Sequence, residues 1–233
     1  MVGDVRVISA GAARGLLTAL DAALSDRVQA SIVVDYGPVG VVDEAVRSGA
    51  SCDVVITSAS RLSDLVADGL VVADSDVSLG SVPTALAVRA GGAVPPLADG
   101  ADVRAALLAA DAVYCPDTDL STAGAHLRSV LEALAVTESV LPRLSVHSHG
   151  AAALQAMVAG SASSPVGVAQ LTEVLATDGV VPVGALPAPY ALATDYRAAV
   201  GVHAADPGRA GLLVQMLAGH GLARRAAGFQ DPR

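Results

Sequence analysis

Hydroxyl side chains follow two apolar segments within the first sixty residues, at turns that lead into predicted helices. Ser9 follows residues 5–8, and Thr57 and Ser58 follow residues 53–56. The first backbone N–H groups of a helix have no partner within the helix, and its dipole is positive at that end. Hydroxyls beside such N–H groups can bind an anion. Helix capping is the structural alternative for any single turn, but three turns in succession favour a site.

The remaining turn lies between these two and has no hydroxyl. Residues 37–40 read Gly-Pro-Val-Gly and follow the apolar residues 31–34. Pro38 has no backbone N–H to donate. Gly37 and Val39 are therefore the ligand-binding candidates of this turn, through their backbone.

Arginine, tyrosine and histidine side chains elsewhere could support proton transfer at carbon. Arg14 and Arg61 begin two predicted helices, Tyr36 precedes the second turn, and His147 and His149 share one short segment. Arginines hold carboxylates, and a histidine can remove and return a proton near neutral pH. The structural alternatives are that both arginines are exposed helix residues and that the histidines lie in a solvated loop, incidentally or as a fortuitous metal pair.

Strands and helices alternate along the chain, which is typical of a parallel sheet with helices on both faces. The predicted strands cover residues 5–8, 31–34, 53–56, 71–72, 84–88, 112–114, 166–168, 180–183 and 196–202. The predicted helices cover residues 13–24, 41–48, 60–67, 102–110, 121–134, 151–159 and 206–217. The sequence therefore predicts an α/β protein.

The composition excludes several kinds of chemistry. The 233 residues carry a formal net charge of −9 and contain neither lysine nor tryptophan. Without lysine there is no Schiff base, no lysine general base and no Walker phosphate loop. The negative charge argues against binding nucleic acid or anionic membranes, and no apolar run is long enough to span a bilayer. We expect no nucleic-acid partner, no membrane insertion, no cofactor and no metal.

The cysteines and the N-terminus bear on where the protein works. Cys52 and Cys115 are far apart and lack metal-ligand spacing, so we expect reduced structural thiols. The N-terminus shows no basic segment followed by an apolar one, as a secretory signal would. As written, the sequence predicts a cytoplasmic protein. A periplasmic or extracellular location would require that a signal peptide has been removed.

An ordered set of motifs runs along the chain. It comprises Ser9-Ala10-Gly11-Ala12, the turn at 37–40, residues 53–59 and 65–69, and then Gly124 and Gly167. In this order they resemble the motifs of molybdate-binding proteins, the substrate-binding components of ABC transporters. The resemblance implies a two-lobed, periplasmic-binding-protein-like α/β fold, each lobe a mostly parallel sheet flanked by helices, with two hinge strands between them. Lobe 1 would comprise residues 1–82 and 192–233, and lobe 2 residues 83–191.

The resemblance also implies a ligand and a partner. A small anion, an oxyanion or a carboxylate, would bind in a cleft between the lobes of a monomer, and an ABC transporter permease would be the partner if the protein is exported. Resemblance and side-chain chemistry together give these ligand-binding candidates: Ser9, Ala10, Arg14, Gly37, Val39, Ser58, Arg61, Ser121, Thr122 and Gln170. The family's serine-rich second turn and its ligand tyrosine are replaced here by the turn at Pro38 and the segment at Gln170. These departures predict weak binding of molybdate and tungstate.

The same scaffold resembles an enzyme branch, aconitate isomerase, which shifts a double bond in a tricarboxylate. That resemblance implies an alternative function, a cytoplasmic and cofactor-free isomerase of a small unsaturated carboxylic acid. His147, His149 and Tyr36 would then be catalytic, while Arg14 and Arg61 would hold carboxylates. The sequence leaves binding protein and isomerase as open alternatives.

Overall fold

The computed structural model describes residues 3–231, and the chain divides into two compact units. Unit 1 comprises Met1–Val82 and Thr194–Arg233, and unit 2 comprises Pro83–Ala193. The chain leaves unit 1 within one long strand and returns to it at the start of another. The sequence predicts these two boundaries after residues 82 and 191.

The described residues form an alternating series of strands and helices. The strands are β1 (Val5–Ala10), β2 (Ile32–Gly37), β3 (Val54–Ser58), β4 (Val77–Arg89), β5 (Val113–Pro116), β6 (Leu144–His147), β7 (Val166–Gln170), β8 (Val180–Ala185) and β9 (Ala193–Val200). The helices are α1 (Arg14–Val28), α2 (Val39–Arg47), α3 (Ala59–Ala67), α4 (Gly100–Ala109), α5 (Thr122–Ala133), α6 (Thr137–Val140), α7 (Gly150–Ala159), α8 (Leu171–Leu175), α9 (Pro207–Gly219) and α10 (Gly221–Ala226). Short 3₁₀ turns occupy Gly11–Ala13 and Leu141–Arg143. The described residues thus form an α/β fold, as the sequence predicts.

The sheet of unit 1 has the strand order β2-β1-β3-β9. Strand β1 pairs in parallel with β2 and β3, and β9 runs antiparallel to β3. Ser9 is in register with Tyr36 on one side and with Ile56 on the other. Because parallel strands end at the same edge of a sheet, the turns after β1, β2 and β3 lie along one edge. We call this edge the unit 1 edge.

Helices cover both faces of the unit 1 sheet. On one face Ile8 and Val55 pack with Val42 of α2 and Leu65 of α3. Leu16 of α1, whose apolar residues recur at helical spacing, is fully buried. Each such side chain contributes about 1.5–3 kcal/mol of transfer free energy. This packing holds the helix starts in place at the unit 1 edge.

The sheet of unit 2 combines parallel and antiparallel pairs. Strand β5 pairs in parallel with β6 and β7, whereas β4 runs antiparallel to β7 and β8. One face carries a core that includes Leu86, Leu107 and Leu127, and the other carries Leu154 and Met157. The carboxyl ends of β5, β6 and β7 again lead into helices.

Several elements differ from their predicted extents. The predicted strand at 84–88 is the middle of the 13-residue β4, and the predicted strand at 71–72 is an isolated bridge between Val71 and Gly201. The short elements β6, α6, α8 and α10 are absent from the predictions, because four to six residues give too little periodicity to recognise. Among residues 3–231, no helix is both long and apolar enough to cross a membrane.

Candidate functional site

The helices that begin at the unit 1 edge have N-termini without side-chain caps. Ala10 precedes the 3₁₀ turn into α1, Pro38 precedes α2 and Ser58 precedes α3, and none makes a capping hydrogen bond through its side chain. In contrast, Asp99 caps α4 by accepting from two backbone N–H groups, and Asp206 caps α9. The first-turn N–H groups at the unit 1 edge are therefore available to a ligand, and an anion suits them best.

Four hydroxyls lie at this edge. Ser9 is fully buried and donates to the carbonyl of Ala10 at 3.0 Å. The Oγ atoms of Ser58 and Ser60 lie 3.3 Å apart. The buried Oγ1 of Thr57 has no hydrogen-bond partner among the described residues. Ser9 is in register with Ile56, which lies two residues before Ser58 on the neighbouring strand. The Cα atoms of Ser9 and Ser58 are therefore about 8 Å apart.

The middle turn is tightly packed at Gly37, the last residue of β2. A Cβ on Gly37 would lie 3.1 Å from Cγ1 of Val41. The carbonyl of Pro38 accepts from the N–H of Val42 at 3.0 Å and so closes the first turn of α2. The free N–H groups of this turn therefore begin at Val39.

Arg14 and Tyr36 form a pair beside the unit 1 edge. The guanidinium carbon of Arg14, the first residue of α1, lies 3.9 Å from the centroid of the Tyr36 ring. The buried Nε of Arg14 has no hydrogen-bond partner among residues 3–231. Burial raises the pKa of Tyr36, the nearby Arg14 charge lowers it, and Asp21 raises it further. The cation is thus held against an aromatic ring, and no carboxylate of residues 3–231 forms an ion pair with it.

Arg61 is placed differently from Arg14. Its Nη1 lies 3.8 Å from Oδ2 of Asp43, and Nε of Arg47 lies 3.0 Å from the same oxygen. The Arg61 side chain is 47% exposed, and exposed pairs contribute only about 0–1 kcal/mol. Arg61 is therefore engaged with Asp43 at the surface of α2 and α3.

In unit 2, Ser121 and Thr122 stand at a helix start without a side-chain cap. Ser121 is the N-cap of α5 and makes no capping hydrogen bond, and Thr122 is the first residue of the helix. A Cβ on Gly124 would lie 2.1 Å from the carbonyl oxygen of Asp117, so this position requires glycine. The N–H groups of residues 119 and 120 donate to the Asp117 carboxylate and lower its pKa. An acidic group thus lies close to this helix start.

Gln170 is engaged with a carboxylate of the protein itself. It is the last residue of β7, and its backbone N–H donates to Oε2 of Glu173 at 3.4 Å in the capping box of α8. The same oxygen lies against Gly150, the first residue of α7, where a Cβ would be only 2.1 Å away. Glu173 is 6% exposed. A buried carboxylate therefore sits at the starts of both α7 and α8 and takes the place that an external anion would occupy.

The two histidines have partners in the local structure of unit 2. Nε2 of His147 lies 2.9 Å from Oγ of Ser145, and its ring stacks on Tyr114 with centroids 6.0 Å apart. His149 is the N-cap of α7, and its Nδ1 accepts from the N–H of Ala152 at 3.2 Å. The segment is thus a strand end and a helix cap rather than a solvated loop.

Two buried hydroxyls are missing from the sequence-based candidates. Thr84 is in register with Gln170 at the end of β7, and Thr172 lies in α8. Both are buried, and neither Oγ1 has a hydrogen-bond partner within the described residues. The available signal is a threonine inside an apolar segment, but threonine is common in strands, so the pattern does not distinguish a site residue.

The two cysteines are buried thiols with raised pKa values. Cys52 and Cys115 are free and buried, and burial raises their pKa values to about 11 and about 12. Within residues 3–231, no cluster of three or more histidine, cysteine or acidic side chains could hold a metal ion.

Comparison with known proteins places the chain in a family. The model of a bacterial extracellular solute-binding protein matches residues 5–226. The chain belongs to this family. None of the curated proteins shows a significant sequence match to it.

Solved structures similar to this solute-binding protein include several anion binders. The periplasmic molybdate-binding protein of Azotobacter vinelandii has a TM-score of 0.76 and 19% identity, over 99% of this chain and 100% of that one. The sulfate-binding protein SubI of Mycobacterium tuberculosis H37Rv has a TM-score of 0.74 and 20% identity, over 99% and 87%. The periplasmic binding protein AfuA of Actinobacillus pleuropneumoniae, with fructose-6-phosphate bound, has a TM-score of 0.71 and 13% identity, over 98% and 84%. At these identities the similarity establishes the fold.

Proposed function

We propose that this solute-binding protein holds a small anion, an oxyanion or a carboxylate, at the unit 1 edge. The observation that carries the proposal is the contrast between helix starts. The starts at Ala10, Pro38 and Ser58 share one edge and have no side-chain caps. In unit 2, His149 caps α7 and Glu173 closes α8, and the uncapped start at Ser121 lies near the acidic Asp117. An anion at the unit 1 edge would satisfy N–H groups that the protein leaves open.

The donors at this edge suit a charged ligand. A hydrogen bond to a charged group contributes about 1.5–3 kcal/mol, more than one between neutral groups. Ser9 and Thr57 add buried hydroxyls, and Arg14 adds a positive charge held against the Tyr36 ring. Because the whole chain carries a net charge of −9, attraction of an anion depends on this local arrangement rather than on the overall field.

The partner and the location are part of the same proposal. The family is described as extracellular, and the Azotobacter protein of similar structure is periplasmic. These descriptions favour the exported alternative, in which the protein delivers its anion to an ABC transporter permease. Cell fractionation and the neighbouring permease and ATPase genes test this part, and light scattering tests the predicted monomer.

The isomerase alternative has no comparable support. The family and the similar structures cited here are named for binding. His147 and His149 already have local partners, Ser145 and the start of α7. No observation among the described residues assigns either histidine to proton transfer.

Native mass spectrometry of the freshly purified protein, followed by thermal unfolding with an anion panel, tests the proposal. The panel contains molybdate, tungstate, sulfate, phosphate, citrate and aconitate. A ligand at a hundred times its dissociation constant adds about 2.7 kcal/mol of stability, which corresponds to roughly 5–11 °C for a chain of this size. We expect such a shift from at least one anion and a smaller one from molybdate and tungstate. If neither a bound anion nor a shift from the panel is found, the proposal is wrong.

A further inference from the structure

Unit 1 contains a groove of about 280 Å³ between α1 and β2. Strand β2 is an end strand of the unit 1 sheet, and its alternate residues Ile32, Val34 and Tyr36 line the groove. Leu17 and Leu24 line it from α1 and lie about two helical turns apart. The groove therefore extends along both elements from Tyr36, beside the unit 1 edge, toward the start of β2.

Apolar side chains form the floor of this groove. Leu17 and Leu24 are buried, whereas Ile32 and Val34 are half-buried, so part of the apolar surface of β2 remains open to a ligand. Small-molecule sites are typically mostly apolar hollows of about 300–1,000 Å³ with a few polar groups. The groove lies at the small end of this range and suits a ligand with a short apolar body.

Three polar side chains line the same groove. Thr18 and Asp21 are three residues apart on α1 and therefore lie on the same side of the helix, and Tyr36 contributes its hydroxyl from β2. Burial raises the pKa of Tyr36, the Arg14 charge lowers it and the Asp21 charge raises it, so the Asp21 carboxylate acts on this hydroxyl. Among residues 3–231, the side chains of Thr18, Asp21 and Tyr36 make no hydrogen bond and no ion pair. All three polar groups are thus available to a ligand.

Arg14 does not neutralise the carboxylate of the groove. Its guanidinium carbon lies 3.9 Å from the centroid of the Tyr36 ring, and the residue itself is not part of the groove lining. Arg14 and Asp21 are about 10 Å apart along α1, and no ion pair joins them within the described residues. The chain contains no lysine that could take this place. The Asp21 carboxylate can therefore pair with an external cation.

We propose that this groove binds a primary amine with a short apolar body. A protonated primary amine has three N–H donors and no acceptor. The groove offers three acceptors, namely the Asp21 carboxylate and the hydroxyls of Thr18 and Tyr36. The apolar body of the ligand packs along the leucine side chains of α1 and the apolar side chains of β2. The charge of Asp21 favours the amine over a neutral alcohol and disfavours a carboxylic acid, so the ligand class differs from that of the anion site.

Hexylamine is the probe, and amide NMR of the ¹⁵N-labelled full chain at pH 7 measures its binding. The amine is protonated at this pH. We expect one saturable site, with the largest shifts at residues 17–24 and 32–36. No saturable shift, or saturable shifts that leave both of these segments unmoved, would overturn the proposal.

A matched pair of variants tests the role of the Asp21 charge. Asp21→Asn removes the carboxylate that lines the groove, and Asp26→Asn removes one from an exposed position of α1 outside the groove. Both variants change the net charge equally, so a difference between them reports local pairing. We expect Asp21→Asn to weaken hexylamine binding roughly three- to tenfold, since the pair is charge-assisted but partly open to water. Asp26→Asn should change it by less than about twofold. Equal effects of the two variants would contradict the proposal.

Two further ligands test the charge without altering the protein. Hexan-1-ol and hexanoate have the same chain as hexylamine, but the first is neutral and the second is an anion. We expect hexan-1-ol to bind the groove roughly three- to tenfold more weakly than the amine and hexanoate to leave residues 17–24 unmoved. Equal affinity of amine and alcohol would overturn the proposal. Anion titrations of Asp21→Asn should match those of the unmodified protein within about twofold, which separates this site from the anion site at the unit 1 edge.

Discussion

Replacing Ser9 by alanine removes one hydroxyl from the unit 1 edge and changes little else. The side chain is fully buried, and its hydroxyl donates to the carbonyl of Ala10 at 3.0 Å when no ligand is bound. A bound anion would receive this hydrogen bond instead, after rotation of the hydroxyl. The variant thus loses a neutral hydrogen bond in the free protein and a charge-assisted one in the complex.

The difference between these two losses sets the expected change in affinity. The neutral hydrogen bond contributes about 0.5–1.5 kcal/mol and the charge-assisted one about 1.5–3 kcal/mol. Ser9→Ala should therefore weaken binding by about 1–2 kcal/mol, which is roughly five- to thirtyfold in the dissociation constant. It should also lower the free energy of unfolding of the free protein by about 1 kcal/mol.

Calorimetric titration with the anion that stabilises the protein most, and urea unfolding without it, measure the two effects. Ser63→Ala is the matched control, because Ser63 also donates to a backbone carbonyl, that of Ala59, but is exposed on α3. We expect this control to leave the affinity unchanged. A folded Ser9→Ala protein that binds the anion as tightly as the unmodified protein would refute the reasoning.

Other predictions concern caps, close packing and thiols. Ser58→Asp places a carboxylate at the start of α3, where it should compete with the ligand for the same N–H groups, so anion titration should show a loss of roughly tenfold or more in affinity. Gly150→Ala should destabilise the protein by about 1–3 kcal/mol, because its methyl group displaces the Glu173 carboxylate; urea unfolding should show a smaller effect in a Glu173→Ala background. Cys52 and Cys115 should react slowly with a thiol reagent at pH 8 and rapidly in denaturant, since burial raises their pKa values from 9.0 to about 11 and about 12. The two protonated thiols contribute fully to the free energy of unfolding below their ordinary pKa of 9.0. This contribution is lost as the pH rises through the raised pKa values.

The sequence predicts the strand–turn–helix order of unit 1 because each signal is local. Apolar β-branched residues lead into small-residue turns, and leucines at helical spacing follow. The same reasoning finds Ser9 and Ser58, whose positions at strand ends follow from that order. The structure places Ser9 and Ser58 at the unit 1 edge. That either residue contacts a ligand remains a prediction.

At other helix starts, a side chain from a different part of the structure satisfies the first N–H groups or lies beside them. Such tertiary contacts could not be predicted from local sequence signals. Glu173 reaches Gly150 across more than twenty residues, and Arg61 meets Asp43 of the preceding helix. In the sequence, His149 is one of two neighbouring histidines and a catalytic candidate, yet its ring caps α7. Which side chains satisfy a helix start, and which leave it open, is decided by how the elements pack.

Amide NMR of the ¹⁵N-labelled protein during anion titration tests the central claim most directly. Sulfate, molybdate and citrate are added in turn, and the shifts of each backbone N–H are followed to saturation. We predict that at least one anion moves the N–H signals of residues 11–13, 39–41 and 59–61 most, and those at the starts of α7 and α8 least. Saturable shifts that leave these three turns unmoved, or no saturable shift with any of the three anions, would contradict the account.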